Sequence, residues 1–206
     1  MYTTDLVKKL FDLGYKSNTF ADKKHENRVR NIIESFGIKK TQDYSIIKKL
    51  KDEKNINKIV DELVGVFVYI EQPFGSQKSP DFIVCISGHI IWIECKSGKK
   101  NITWNSGFPR KNVLYVFSSK KTNNTTVFLG SQSEIYLKNL EFEEKYNKFD
   151  TEIKELAEEK FEGLFESEKF SFYSRRMLVD KTDYSSQEFR FSLYEKTLEV
   201  FSNFKR

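Results

Sequence analysis

Three charged residues stand in the most apolar part of the chain. Asp81, Glu94 and Lys96 are the only charges in "PDFIVCISGHIIWIECK", residues 80–96. Two carboxylates near a core repel each other, and each is costly to ionise without a compensating positive charge. A divalent cation supplies that charge, and an all-oxygen donor set favours Mg²⁺, with Mn²⁺ as a substitute, over zinc. Magnesium held in this way can polarise a phosphoryl oxygen, orient a water and stabilise charge on the leaving oxygen. Lys96 can hold the attacking water or stabilise the pentacovalent phosphate. The chemistry expected of the trio is hydrolysis of a phosphodiester.

Such chemistry requires a fold that brings the three side chains together. Asp81–Ile86 and His89–Lys96 read as antiparallel strands. A turn at Ser87-Gly88 sets Asp81 opposite Glu94, and a turn at Gly88-His89 sets it opposite Lys96. In both registers all three share a face, because side chains alternate with period two. A three-residue loop would place Asp81 on the other face, but two-residue loops containing glycine are the commoner connection. Ile83, Cys85, Ile90 and Trp92 complete the charged face as an apolar floor. Phe82, Val84, Ile86, Ile91 and Ile93 make the opposite face apolar too, so the hairpin is expected at the centre of a sheet. Cys85 and Cys95 fall on opposite faces, which argues against a disulfide between them. Glu-x-Lys alone is common as a strand-end ion pair; preceded by Pro-Asp across a hairpin of the right parity, it is far more specific.

Pro80-Asp81, followed by Glu94-Cys95-Lys96, resembles the PD-(D/E)xK nuclease superfamily. Over residues 66–118, "GSQKSPDFIV…WIECKSGKKNITWNSGFP" is most similar to its type II restriction endonucleases. The resemblance implies Asp81 and Glu94 as metal ligands, the Cys95 backbone carbonyl as a further ligand, and Lys96 as the catalytic lysine. It implies Mg²⁺-dependent cleavage of DNA leaving 5′-phosphate and 3′-hydroxyl ends. Members often add an acid from an N-terminal helix. Glu26 is the better candidate, lying near the face set by Val29, Ile33 and Phe36, whereas Glu34 projects about 150° away at helical pitch. An ordinary first-turn glutamate at position 26 competes with that role.

The rest of the chain supplies the frame. Residues 1–65 read as helices: Leu6, Leu10 and Leu13 recur at helical spacing behind Thr3 or Thr4 as a cap, and a second helix runs from Asp22 to a stop at Gly37. Two shorter helices are expected in "TQDYSIIKKLKDEK" and "INKIVDELVG". Residues 66–130 carry about five short β-branched and aromatic strands. Residues 131–206 return to a charge-dense helical pattern, with a candidate strand in "FSFYSRRMLV" and a helix in "LYEKTLEVFSNF". The expected fold is α/β, a central mixed sheet flanked by helices in a single restriction-endonuclease-like domain. At 206 residues, with 38% apolar and 15% aromatic side chains, the chain is long and apolar enough for a substantial core. With no signal segment, no span long enough for a bilayer and two cysteines, it is expected to be cytoplasmic with no membrane partner.

The formal net charge of +5 is unevenly spread. Residues 78–121 hold eight Lys/Arg against two acids, and residues 141–169 hold eleven acids against five bases. Double-stranded DNA is the expected partner of the basic region, through phosphate contacts. Ser76, Gln77 and Lys78 in the loop before Asp81, and Lys99, Lys100, Trp104, Asn105, Ser106, Arg110 and Lys111 after Lys96, are the contact candidates. Arg175 and Arg176 are added as phosphate contacts. Gln and Asn can bond adenine and Arg guanine, while Trp104 could equally be a packing residue. His25 and His89 have no partner at metal or nucleophile spacing. One site per chain makes a two-fold homodimer the simplest way to cut both strands. The alternatives are a structure-selective nuclease of the resolvase or repair type, and a DNA-binding module that does not cut.

Overall fold

The computed structural model describes residues 2–14, 22–76, 78–105, 107–137, 140–161 and 178–203. Its strands are β1 Lys39–Lys40, β2 Phe67–Glu71, β3 Phe82–Ile86, β4 His89–Gly98, β5 Ile102–Trp104, β6 Leu114–Ser119, β7 Asn124–Leu129 and β8 Leu178–Asp180. Its helices are α1 Tyr2–Phe11, α2 Asp22–Ser35, α3 Tyr44–Leu50, α4 Glu134–Leu137, α5 Leu140–Lys160 and α6 Gln187–Ser202. Six strands form one mixed sheet in the order β1-β2-β3-β4-β6-β7, and β5 pairs with β8 in a separate antiparallel ribbon. The fold is therefore the expected α/β arrangement, with one more strand in the main sheet than the sequence pattern indicates. The addition is β1, two exposed lysines pairing parallel to β2 at the sheet edge.

The hairpin register is resolved. Phe82 pairs with Ile93 and Cys85 with Ile90, which places the turn at Ser87-Gly88. Both turn residues have positive φ, 49° and 85°, as a type I′ connection requires. Glycine is needed at the second position for a further reason: a Cβ on Gly88 would lie 2.7 Å from the Val60 carbonyl oxygen.

That close approach explains a difference from the sequence reading. Residues 56–65 do not form a helix; among them only a 3₁₀ turn, Asp61–Leu63, is helical. Asn57 N–H donates to the Ile90 carbonyl and Val60 N–H to Gly88, while Lys58 accepts from Ile90 N–H. Pairing with the hairpin end thus outcompetes the segment's helical periodicity. Thr3 and Thr4 lie inside α1 rather than capping it. Gly37, with φ +75°, follows α2 as expected.

The hairpin's two faces feed two cores. Phe82, Val84, Ile86, Ile91 and Ile93 pack with Leu6, Leu10, Val29 and Ile33 of α1 and α2. Ile83, Cys85, Ile90 and Trp92 pack with Leu50 of α3 and with Ile102, Trp104, Tyr115, Phe117 and Phe128. Every residue of β3 is buried, as a central strand's should be. No helix among the described residues is long and apolar enough to cross a membrane.

Candidate active site

Asp81 immediately precedes β3, whose first residue, Phe82, pairs with Ile93, the residue before Glu94. Its carboxylate accepts the Cys95 N–H at 2.7 Å (Oδ2), so one hydrogen bond joins the two halves of the motif. The Cys95 side chain packs beside the α1–α2 core, where burial first and then the charges of Asp81, Glu26 and Glu94 push its thiol well up. Glu94 and Lys96, two residues apart on β4, share the face of Trp92. Lys96 Nζ lies 2.8 Å from Glu94 Oε1, with side-chain exposures of 11% and 6%. The same ammonium donates to Asn105 Oδ1 at 3.2 Å.

Burial is the chief cause that pushes the Asp81 carboxyl up to about 7, and the Glu94 carboxylate is the second. The Cys95 N–H acts against the rise, Glu26 adds to it and Lys96 opposes it. Glu26 thus lies close enough for its charge to be felt at Asp81. It is brought there by α2, whose His25 donates from Nε2 to the Val116 carbonyl of β6 at 2.8 Å. Glu34 instead accepts from the Tyr69 hydroxyl at 2.7 Å.

The residues suit a hard divalent cation in charge and donor type. Glu94 Oε2 is buried with no hydrogen-bond partner, and burial, with the Glu94 charge second, holds the Asp81 carboxyl partly protonated near neutral pH. A cation at these oxygens would satisfy both. Among the described residues, no three His, Cys, Asp or Glu side chains are grouped to hold a metal. The fit therefore rests on the Asp81 and Glu94 carboxylates, and Glu26 stands by as a nearby charge.

The residues expected to touch DNA are dispersed in character. Ser76, Lys78, Lys99, Lys100 and Lys111 are exposed. Gln77, Ser106, Arg175 and Arg176 lie outside the described residues. Trp104 must be reassigned: it is 1% exposed, its ring meets Tyr115 edge-on at 5.0 Å, and a buried core ring has no face for a base. Arg110 is half-buried, pairs with Glu53 and lies 4.9 Å over the Trp92 ring. Asn105 faces the catalytic-lysine candidate.

Two contributors carry no signal in the sequence. Tyr115 is the register neighbour of Glu94. Its ring packs on Trp104 and its hydroxyl accepts the Arg110 N–H at 2.9 Å. It therefore holds both stems of the loop between β5 and β6, yet in sequence it is one more aromatic in an apolar strand. His25 fixes α2 beside Glu26, and a lone histidine gives no hint of that. No protein-family model, curated protein or solved structure matches the chain.

Proposed function

We propose that the chain is a Mg²⁺-dependent endodeoxyribonuclease of the type II restriction kind, similar to the PD-(D/E)xK nucleases. It would hydrolyse double-stranded DNA at a specific sequence, leaving 5′-phosphate and 3′-hydroxyl ends. The observation that carries the reading is the convergence of Asp81, Glu94 and Lys96 at one end of a central hairpin, locked by the Cys95–Asp81 hydrogen bond. When bound at Asp81, Glu94 and the Cys95 carbonyl, Mg²⁺ would supply Lewis-acid polarisation of a phosphoryl oxygen and of a water.

The chain's own groups have separable tasks. Glu94 orients Lys96 through its Oε1. Lys96 has three N–H donors; Glu94 and Asn105 engage two, and the third can be given to a water or a phosphoryl oxygen. The apolar floor of Ile83, Ile90 and Trp92 keeps bulk water from the buried side of the site. Lys78, Lys99, Lys100 and Lys111 provide exposed positive charge for flanking phosphates. A two-fold dimer would place one site on each strand of a palindrome, and a cytoplasmic setting suits the proposed activity.

The test is digestion of a long DNA of known sequence with Mg²⁺ or with EDTA. Discrete Mg²⁺-dependent fragments support the reading. A smear, or cutting confined to branched DNA, would replace it with a nonspecific or structure-selective nuclease. Binding without cutting would leave a DNA-binding module.

A further inference from the structure

Asn105 accepts a hydrogen bond at its side-chain Oδ1 from Lys96 Nζ. It follows β5, whose backbone pairs outside the main sheet: Trp104 with Leu178 and Ile102 with Asp180 of β8. The Trp104 ring is buried against Tyr115. At the far stem the Tyr115 hydroxyl receives the Arg110 N–H. Gly130 packs so closely there that the Arg110 carbonyl oxygen leaves no room for a Cβ. With both stems held on Tyr115, the register neighbour of Glu94, the loop sets the Asn105 side-chain Oδ1 3.2 Å from Lys96 Nζ, while Glu94 Oε1 lies 2.8 Å from the same nitrogen. A flexible four-carbon side chain with one anchor can swing about it; two anchors from different elements fix its head.

We propose that Asn105 is a positioning residue for Lys96: it sets the direction of the ammonium's remaining donor rather than reading a base. This rests on the functional reading above. Its substrate is the same phosphodiester, so its loss should lower the rate of the cleavage step and leave DNA affinity unchanged.

The experiment compares wild-type protein, Asn105→Ala and Asn105→Asp, all labelled with ¹⁵N-lysine. Single-turnover cleavage with Mg²⁺ and DNA binding with Ca²⁺ are measured alongside the Lys96 Nζ resonance of the DNA-free protein, assigned through Lys96→Met. The expected result for Asn105→Ala is a cleavage rate about 10–100-fold lower, an unchanged Kd, and a shifted, faster-exchanging Lys96 ammonium signal. Asn105→Asp, which keeps an acceptor at the same place, should restore the ammonium signal. An unmoved signal in Asn105→Ala overturns the inference, as does a raised Kd with an unaltered cleavage rate. If wild-type protein cuts no DNA the functional reading falls, and the resonance still decides whether Asn105 holds Lys96.

Discussion

The backbone N–H of Cys95 donates to the carboxylate of Asp81 across 2.7 Å, tying the residue just ahead of β3 to β4. This bond fixes Asp81 at the point where β4 leaves the apolar core, with Glu94 facing it. A carboxylate so placed is held by its backbone partner and crowded by its neighbour. Its protonation should therefore report on the whole site.

The pH dependence follows from that crowding. The Asp81 carboxyl is raised from 3.8 to about 7, so the folded state binds its proton more tightly than the unfolded chain. Its stabilising contribution is full below about pH 3.8 and is lost as pH rises through about 7. Without metal, Asp81 should lower the thermal midpoint across that window, and Asp81→Asn should flatten the decline. Above about pH 7, adding Mg²⁺ should raise the midpoint of the wild-type protein but not of Asp81→Asn. Differential scanning fluorimetry over a pH series, with and without Mg²⁺, measures both effects.

Glu94 and Lys96 form a nearly buried ion pair, so removing one partner should cost more than removing both. Lys96→Met leaves a buried carboxylate alone and is expected to destabilise the metal-free protein by about 3 kcal/mol. The double variant Glu94→Gln/Lys96→Met should recover most of that loss. Urea unfolding of the two single variants and the double gives the coupling; additive effects would mean the pair is solvated.

The exposed lysines predict a salt signature. Lys99→Ala/Lys100→Ala should reduce the slope of log K against log salt by about 2, since each phosphate that is no longer neutralised removes about 0.9. Arg110→Ala should change it less, because that guanidinium already pairs with Glu53 and stacks on Trp92. Fluorescence anisotropy with a labelled duplex in Ca²⁺ separates these contributions.

His25 offers a check on how Glu26 is held. Its ring is buried and bonded to the Val116 carbonyl. His25→Ala should lower stability by about 1–3 kcal/mol, through a cavity and the removal of that hydrogen bond. If α2 is positioned by this bond, the Asp81-dependent fall in stability should weaken at the same time, because Glu26 contributes to it. Chemical unfolding of His25→Ala across the same pH range reads both.

How much is legible in the sequence depends on range. The shared face of Asp81, Glu94 and Lys96 follows from a two-residue turn and period-two alternation, both local, and of the two registers these allow the structure takes the one with its turn at Ser87-Gly88. Trp104 reads as a DNA neighbour because Asn, Ser, Gly and Pro surround it as in a surface loop. Its burial depends on β8, more than seventy residues away, and no local pattern records that pairing. The segment 56–65 shows the reverse case: its helical periodicity is real, but its backbone groups find partners at the hairpin turn. The hydrogen bond between Lys96 and Asn105 is hidden for the same reason, since the chain must first fold back through β5 to bring the two together.

Cleavage of supercoiled plasmid is the most direct test of the central claim that Asp81, Glu94 and Lys96 act as one hydrolytic site. Wild-type protein, Asp81→Asn, Glu94→Gln and Lys96→Met would be compared under single-turnover conditions with Mg²⁺. The account predicts cutting by the wild type, abolished by EDTA, and a fall of about 10²–10³-fold or more in each variant that retains DNA binding. Variants that cut at the wild-type rate, or a wild type that binds DNA and never cuts it with Mg²⁺ or Mn²⁺ present, would contradict it.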